Sequence, residues 1–422
     1  MLAQFEGKNI LLLQGPMGPF FAHLAEDLRS AGARKIIKVN FNGGDRLFYR
    51  QPGAVDFRGE MEVFSDWLEA LIDLHKLNTV FLFGDCRPVH VIAREVARKK
   101  NLETFVFEEG YIRPDFITLE KEGVNGYSTL PRNPVFYLNH KIADSTSRSY
   151  GNGSVFWHAA LWSTLYYAAS SVCRPWYPDY QHHRNSGSRK EAFLWLRSAL
   201  RKFRYRWSER DITQRLKSRK IPDYFLAPLQ VYNDAQIKEH SRFISVASYI
   251  RYVMASFAKH APSEVILLIK HHPLDRGYHD YTHFIGRLAK KLRITNRCFY
   301  IHDQHLPFLL DHAKGVVVVN STVGFSALQR AVPVKVCGDA YYDMKGLTFQ
   351  GSLHDFWSVA QKHRPNMVLL RRFASYLKQH VLINGSFYKP LKSSPLRTGL
   401  HYVGAGLDVA PAGTIQSKTH SA

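Results

Sequence analysis

From residue 9 to residue 107, short apolar runs alternate with longer amphipathic ones. NILLLQG, KIIKVNF, TVFLFGD and TFVFEEG each pass from apolar residues into a polar turn. Between them, PFFAHLAEDLRSAG, EMEVFSDWLEALIDLHKL and PVHVIAREVARKKN place apolar residues at helical spacing. Buried parallel strands joined by amphipathic crossover helices produce this pattern. The alternation returns after residue 223. YFLAPLQV, VILLIKHHP, CFYIHD, GVVVVNS and PVKVCG are strand-like, with SRFISVASYIRYVMASFAKH and STVGFSALQRA as helices. The pattern predicts an α/β chain with two Rossmann-like domains.

The stretch between the two alternations is of another kind. Residues 151–173 hold no Lys, Arg, Asp or Glu. Trp157, Leu161, Leu165, Ala168 and Val172 fall near helical spacing there. Residues 189–220 carry twelve Lys/Arg against three acids, with aromatics interleaved. A membrane-surface patch, a solvated helix face and a nucleic-acid site all fit such a segment. The expected division is therefore 1–140 as a first Rossmann-like domain and 141–220 as a basic, aromatic helical connector. A second Rossmann-like domain spans 221–345, with C-terminal helices over 346–395 and a disordered tail over 396–422. Two such domains facing a cleft form the GT-B arrangement of many glycosyltransferases, which sugar-nucleotide epimerases share.

Charge narrows the partner. The chain of 422 residues has a formal net charge of +22, which favours a polyanionic partner or substrate. The four cysteines, Cys86, Cys173, Cys298 and Cys337, form no CxxC pair and read as buried thiols. MLAQFEGKN lacks the apolar core of a signal peptide, so a cytoplasmic location is expected. There is no DxD, GxxxxGK[ST] or GxSxG motif, and no metal or cofactor is expected.

Ligands of open α/β sheets bind beyond the carboxyl ends of the strands. Those ends read Gln14-Gly15, Gly84-Asp85-Cys86-Arg87, Glu108-Glu109-Gly110, Lys270-His271-His272 and Asn320-Ser321-Thr322. The turn QGPMGPFF either lets backbone approach a ligand or is a tight strand-to-helix turn with Pro19 at the helix start. In FVFEEGYIRPDF, Glu109 can serve as nucleophile or base and Arg113 can hold a carboxylate, or the acids cap a helix or are salt-bridged. In IKHHPLDRG, Lys270 and His272 can meet a phosphate, or the stretch binds a metal or merely packs, although adjacent histidines on a strand face opposite ways and do not easily serve one metal. Asn320, Ser321 and Thr322 can cradle an anion, or one hydroxyl caps a helix. His302, His305 and His312 read as surface or capping residues.

QGPMGPFF, GDCRP, FEEGYIRPDF, KHHPLDRG and NSTVGFSAL, in that order, resemble the capsule polysaccharide biosynthesis proteins of the KpsS/LipB type. The resemblance spans residues 9–345. It implies a bacterial GT-B transferase moving the first β-Kdo from CMP-Kdo to a phosphatidylglycerol-type lipid at the inner face of the cytoplasmic membrane. It implies configuration-retaining chemistry, and partnership with a second Kdo transferase and the capsule export machinery rather than nucleic acid. By motif, Glu109 is the catalytic carboxylate and Glu108 its support. Lys270, His272, Asn320, Ser321 and Thr322 face the donor phosphate. Arg87 and Arg113 face the Kdo carboxylate, and Gln14 and Gly15 line the cleft on the acceptor-domain side. A sugar-nucleotide epimerase and a non-catalytic scaffold of the capsule assembly complex are the alternatives.

Overall fold

The computed structural model describes residues 2–140, 149–180 and 188–402. Thirteen strands lie among them. They are β1 (Asn9–Leu12), β2 (Lys35–Asn40), β3 (Ala54–Asp56), β4 (Thr79–Phe83), β5 (Glu103–Glu109), β6 (Phe116–Lys121), β7 (Tyr224–Pro228), β8 (Ile266–Lys270), β9 (Cys298–Ile301), β10 (Gly315–Val318), β11 (Val334–Val336), β12 (Leu382–Asn384) and β13 (His401–Tyr402). They form two sheets, ordered β13-β12-β6-β5-β4-β1-β2-β3 and β11-β10-β7-β8-β9. Counted from its own first strand, each parallel part reads 5-4-1-2-3. Both are Rossmann-like, as the alternation predicts.

The first sheet is covered on both faces. Ile10, Leu12, Phe81, Phe105 and Phe107 pack against Phe20, Leu24 and Leu28 of the helix Phe20–Ser30. The intervening Leu11, Leu13, Val80, Leu82 and Val106 pack against the helices Phe64–His75 and Pro88–Lys99. Burial on both faces explains why these strands are apolar at every position. Each fully buried Leu, Ile or Phe contributes about 1.5–3 kcal/mol to the core. In the second sheet, Phe225, Ala227, Leu267, Ile269, Val317 and Val319 pack on the helix Val246–His260. Ser245 opens that helix through a capping box with Ser248.

The chain divides differently from the sequence expectation. The first unit comprises Met1–Pro131, His140–Tyr180 and Ala374–Ala422; the second comprises Arg132–Asn139 and Gln181–Phe373. The 141–220 stretch is thus not one connector. Its helix Phe156–Val172 lies in the first unit, and its helices Ser188–Ser208 and Arg210–Lys217 lie in the second. The segment 346–395 is not only helical either. After the helices Leu353–Val359 and Met367–His380 it adds β12 to the first sheet, antiparallel to β6. The expected tail begins with order. Arg397 N, Thr398 N and Thr398 Oγ1 all donate to the Asp27 carboxylate, and β13 pairs with β12. Residues 403–422 of that tail lie outside the described residues.

The helix Phe156–Val172 seats on the short helix Gly43–Phe48 because two glycines let it. A Cβ on Gly43 would stand 2.4 Å from Ala169 O, and one on Gly44 would stand 2.5 Å from the Tyr166 ring. The four cysteines form no disulfide; Cys298 is buried, but Cys86, Cys173 and Cys337 are half-buried.

Candidate functional site

In the first unit, β5 and β6 form a hairpin, and FEEGYIRPDF is its connection. Gly110 is required there, since a Cβ would fall 1.9 Å from Phe116 O. Successive residues of a strand face opposite sides of the sheet. Glu109 therefore shares the side of Phe105 and Phe107, and Glu108 shares the side of Val106. The two acids do not converge on one point. Glu108 reaches Glu109 through the backbone: its Oε1 accepts from Glu109 N at 2.8 Å, while Asn125 Nδ2 donates to Oε2 at 3.4 Å. Burial, followed by the charges of Glu109 and Asp85, raises the Glu108 carboxyl to about 7.

Glu109 is half-buried at the end of β5. Tyr388 Oη donates to Glu109 Oε1 at 2.9 Å. Burial and the carboxylate beside it hold the Tyr388 phenol well above its ordinary value, so it remains a donor. Glu109 Oε2 has no partner among the described residues. Tyr388 is held in turn by Trp162, whose Nε1 donates to Tyr388 O at 3.0 Å. Arg113 donates from Nε to Gly110 O at 3.2 Å and is exposed.

Gln14 and Arg87 lie at the ends of β1 and β4, where the strand order of the sheet reverses. Gln14 is buried. Its Nε2 donates to Tyr180 Oη at 2.9 Å, Tyr166 Oη at 3.2 Å and Asp45 Oδ2 at 3.4 Å. Its Oε1 accepts from Arg87 Nη1 at 3.0 Å, and Arg87 also donates to Gly15 O at 3.3 Å. Gln14 is thus the centre of a buried polar network, with both ends of its amide engaged. Gly15 lies under the Phe21 ring, 2.9 Å from where a Cβ would be. The segment NFNGGDR carries a cap signal that the strand ends alone do not bring out, Asn-Gly-Gly-Asp after a strand. Asn42 caps the helix Gly43–Phe48 by accepting from Gly44 N and Asp45 N. Beneath it, buried Lys38 donates to Val39 O at 2.6 Å. Desolvation lowers its pKa against the pull of Asp45 and Asp56.

In the second unit, the order of the sheet reverses between β7 and β10. Gln230, after β7, donates from Nε2 to Asn320 Oδ1 at 3.0 Å, and Asn320 Nδ2 donates to Gln236 O at 3.0 Å. Ser321 Oγ accepts from Val323 N at 3.2 Å, which is the helix-capping role; Ser321 O accepts from Tyr342 Oη at 2.6 Å. Thr322 opens the same helix and is half-buried. His272 follows β8, half-buried, and accepts from Leu274 N at 3.3 Å.

Lys270 is placed otherwise than its position at a strand end suggests. It is buried, and its ammonium donates to His302 O at 3.1 Å; burial lowers its pKa. His302 is not a surface residue. It is buried against Glu209, whose Oε1 accepts from its N at 2.9 Å and pairs with Nδ1 at 2.6 Å. His271 meets Tyr300 Oη at 2.5 Å, and burial lowers its pKa to about 3. His305 does cap a helix, accepting from Phe308 N at 3.4 Å.

The family model for capsule polysaccharide biosynthesis proteins matches residues 78–388. The capsule polysaccharide export protein KpsS of Escherichia coli is 43% identical over 391 residues, covering 90% of this chain and 97% of KpsS. The capsule polysaccharide modification protein LipB of Neisseria meningitidis is 40% identical over 390 residues, covering 90% of this chain and 92% of LipB. Among solved structures, KpsC, β-Kdo 2,7 transferase, of Thermosulfurimonas dismutans aligns with a TM-score of 0.44 at 16% identity, covering 89% of this chain and 92% of that one.

Proposed function

The chain belongs to the capsule polysaccharide biosynthesis protein family, and from that premise we propose that it is a β-Kdo transferase. The donor is CMP-Kdo, and the acceptor is a phosphatidylglycerol-type lipid at the inner face of the cytoplasmic membrane. The observation that carries this reading is the Glu109 carboxylate, steered through one oxygen by Tyr388 Oη at 2.9 Å while the other oxygen stays open. A fixed, accessible carboxylate at a strand end is what a displacement at an anomeric carbon requires.

The reaction runs in two displacements. Glu109 Oε2 attacks Kdo C2; the C2–O bond to phosphate breaks, and CMP leaves with the electron pair. An acceptor hydroxyl then attacks C2 and releases Glu109, its proton passing to solvent. Two inversions retain configuration. Glu108 takes no part in bond making. With a pKa near 7 it carries less than a full charge at neutral pH, which limits repulsion of Glu109.

His272, Ser321 and Thr322 are the donor-phosphate residues in this reading, being half-buried at strand ends on either side of β7. Asn320 positions the Gln230 loop beside them. Exposed Arg113 takes the Kdo carboxylate, and Arg87, bound to Gln14, shapes the wall. Lys270 supports the backbone beneath.

The deciding experiment incubates the purified chain with CMP-Kdo generated in place and a fluorescent phosphatidylglycerol analogue. Mass spectrometry of the lipid should show the gain of one Kdo, absent with Glu109→Gln. No gain from folded protein with CMP-Kdo left intact would overturn the proposal and favour the scaffold alternative.

A further inference from the structure

The helix Ser188–Ser208 has two unlike sides. Arg197, Arg201 and Tyr205 recur every four residues and all hold the 276–280 loop. Arg197 donates to the carbonyls of Gly277 and Tyr278, the latter at 3.1 Å. Arg201 donates to Arg276 O at 2.8 Å, and Tyr205 Oη to Asp280 Oδ2 at 3.1 Å. Tyr205 also stacks on His302, ring centroids 3.6 Å apart. This side is bolted to the second unit through backbone carbonyls and a buried ring.

The other side carries Phe193, Leu196, Leu200, Phe203 and Trp207. Their spacing of three, four, three and four residues makes a single stripe along the helix. They are exposed by 60–71%. A row of five large apolar side chains left in water is costly for a soluble protein. At about 100° per residue, Arg204 and Arg206 fall on opposite flanks of the stripe, and with Lys202 they are exposed. From 192 to 208 there are five Lys/Arg and no acid.

We infer that this stripe is a docking face for an anionic lipid bilayer, with the helix lying in the plane of the headgroups. Charge selects this occupant. The cations stand where lipid phosphates lie, and the apolar row reaches the acyl boundary beneath them. Trp207 suits the interface itself. The helix cannot cross the bilayer: none among the described residues is long and apolar enough. The inference rests on the reading that the acceptor is a membrane lipid, and it adds the element that would hold the enzyme at that surface.

The test is co-sedimentation of the full chain with phosphatidylcholine vesicles, with and without phosphatidylglycerol. The triple variant Leu200→Ser, Phe203→Ser, Trp207→Ser should lower partitioning about tenfold or more. Its thermal midpoint should stay unchanged, because the three side chains are exposed. Arg204→Gln with Arg206→Gln should reduce the preference for phosphatidylglycerol and flatten its salt dependence. Kdo transfer to a water-soluble headgroup acceptor should persist in both variants. If transfer is absent in the parent chain too, the catalytic reading fails while the docking result still stands. Unchanged vesicle binding by the triple variant overturns the inference, as does equal binding to neutral vesicles. A changed oligomeric state with vesicle binding intact also overturns it, and assigns the stripe to a second copy.

Discussion

Arg87 donates to Gln14 across 3.0 Å, bridging the ends of β4 and β1 where the first sheet reverses its strand order. The second sheet has a counterpart in Gln230 and Asn320, 3.0 Å apart at the ends of β7 and β10. In each unit a glutamine following the first strand closes the gap left at the reversal. These gaps are where open α/β sheets receive ligands. In both places the hydrogen bond between the glutamine and its partner shapes the gap.

Glu109 and Tyr388 should be separable by rate. Glu109→Gln is expected to lower Kdo transfer about a thousandfold or more. Tyr388→Phe keeps the ring and removes only the hydroxyl, so about a 10- to 100-fold loss in kcat is expected, with donor KM little changed. Initial rates across a CMP-Kdo series check this. A Tyr388→Phe enzyme with full kcat would take the phenol out of the site.

Glu108 should leave a mark on stability against pH. Its pKa is raised from 4.5 to about 7, so the folded state holds the proton more tightly than the unfolded chain. The contribution is fully present below about pH 4.5 and is lost as pH rises to about 7. Glu108→Gln, which stays neutral, should therefore gain stability relative to the parent by up to about 3 kcal/mol between pH 4.5 and 8. Urea unfolding of both proteins at the two pH values measures it, and a difference that does not move with pH contradicts it.

Gly44→Ala should loosen the seat of the helix Phe156–Val172. The added carbon would stand 2.5 Å from the Tyr166 ring, which packs tightly and donates to Asp45. A loss of about 1–3 kcal/mol is expected, seen as a lower thermal midpoint. An unchanged midpoint would mean that the helix gives way without cost.

His272 carries two roles that one pair of variants can divide. Its Nδ1 accepts from Leu274 N and so caps the turn Pro273–Asp275. Asn can preserve that cap. With His272 on the donor phosphate, both His272→Asn and His272→Ala raise the CMP-Kdo KM about tenfold. If only the Ala variant suffers, the side chain is a cap and nothing more.

Strand positions were legible because burial on both faces leaves an unbroken apolar run, and each run ends in polar residues. The opposite facings of Glu108 and Glu109 follow from strand parity only once β5 is placed, whereas in sequence the pair reads as one motif. Lys270 was misplaced because a lysine at a strand end looks like a ligand group; its ammonium instead turns back to His302 O, and no local pattern announces that. Tyr388 was out of reach. It comes to Glu109 only through the antiparallel pairing of β12 with β6, a contact between residues far apart in the chain. The NGGD segment was legible, but its glycines make sense only once Tyr166 and Ala169 are known to lie over them.

The return of the chain to its first sheet also bears on biosynthesis. Domains usually fold in the order in which the ribosome delivers them. Here the first unit waits for a segment made late, because β12 and Tyr388 emerge after the whole second unit. A product released before Leu382 would keep Glu109 without its phenol and leave β6 as an open sheet edge, a site for aberrant pairing. The contact between Glu109 and Tyr388 therefore forms only after the second unit has been made, and a chain stopped short of it is marked by that open edge.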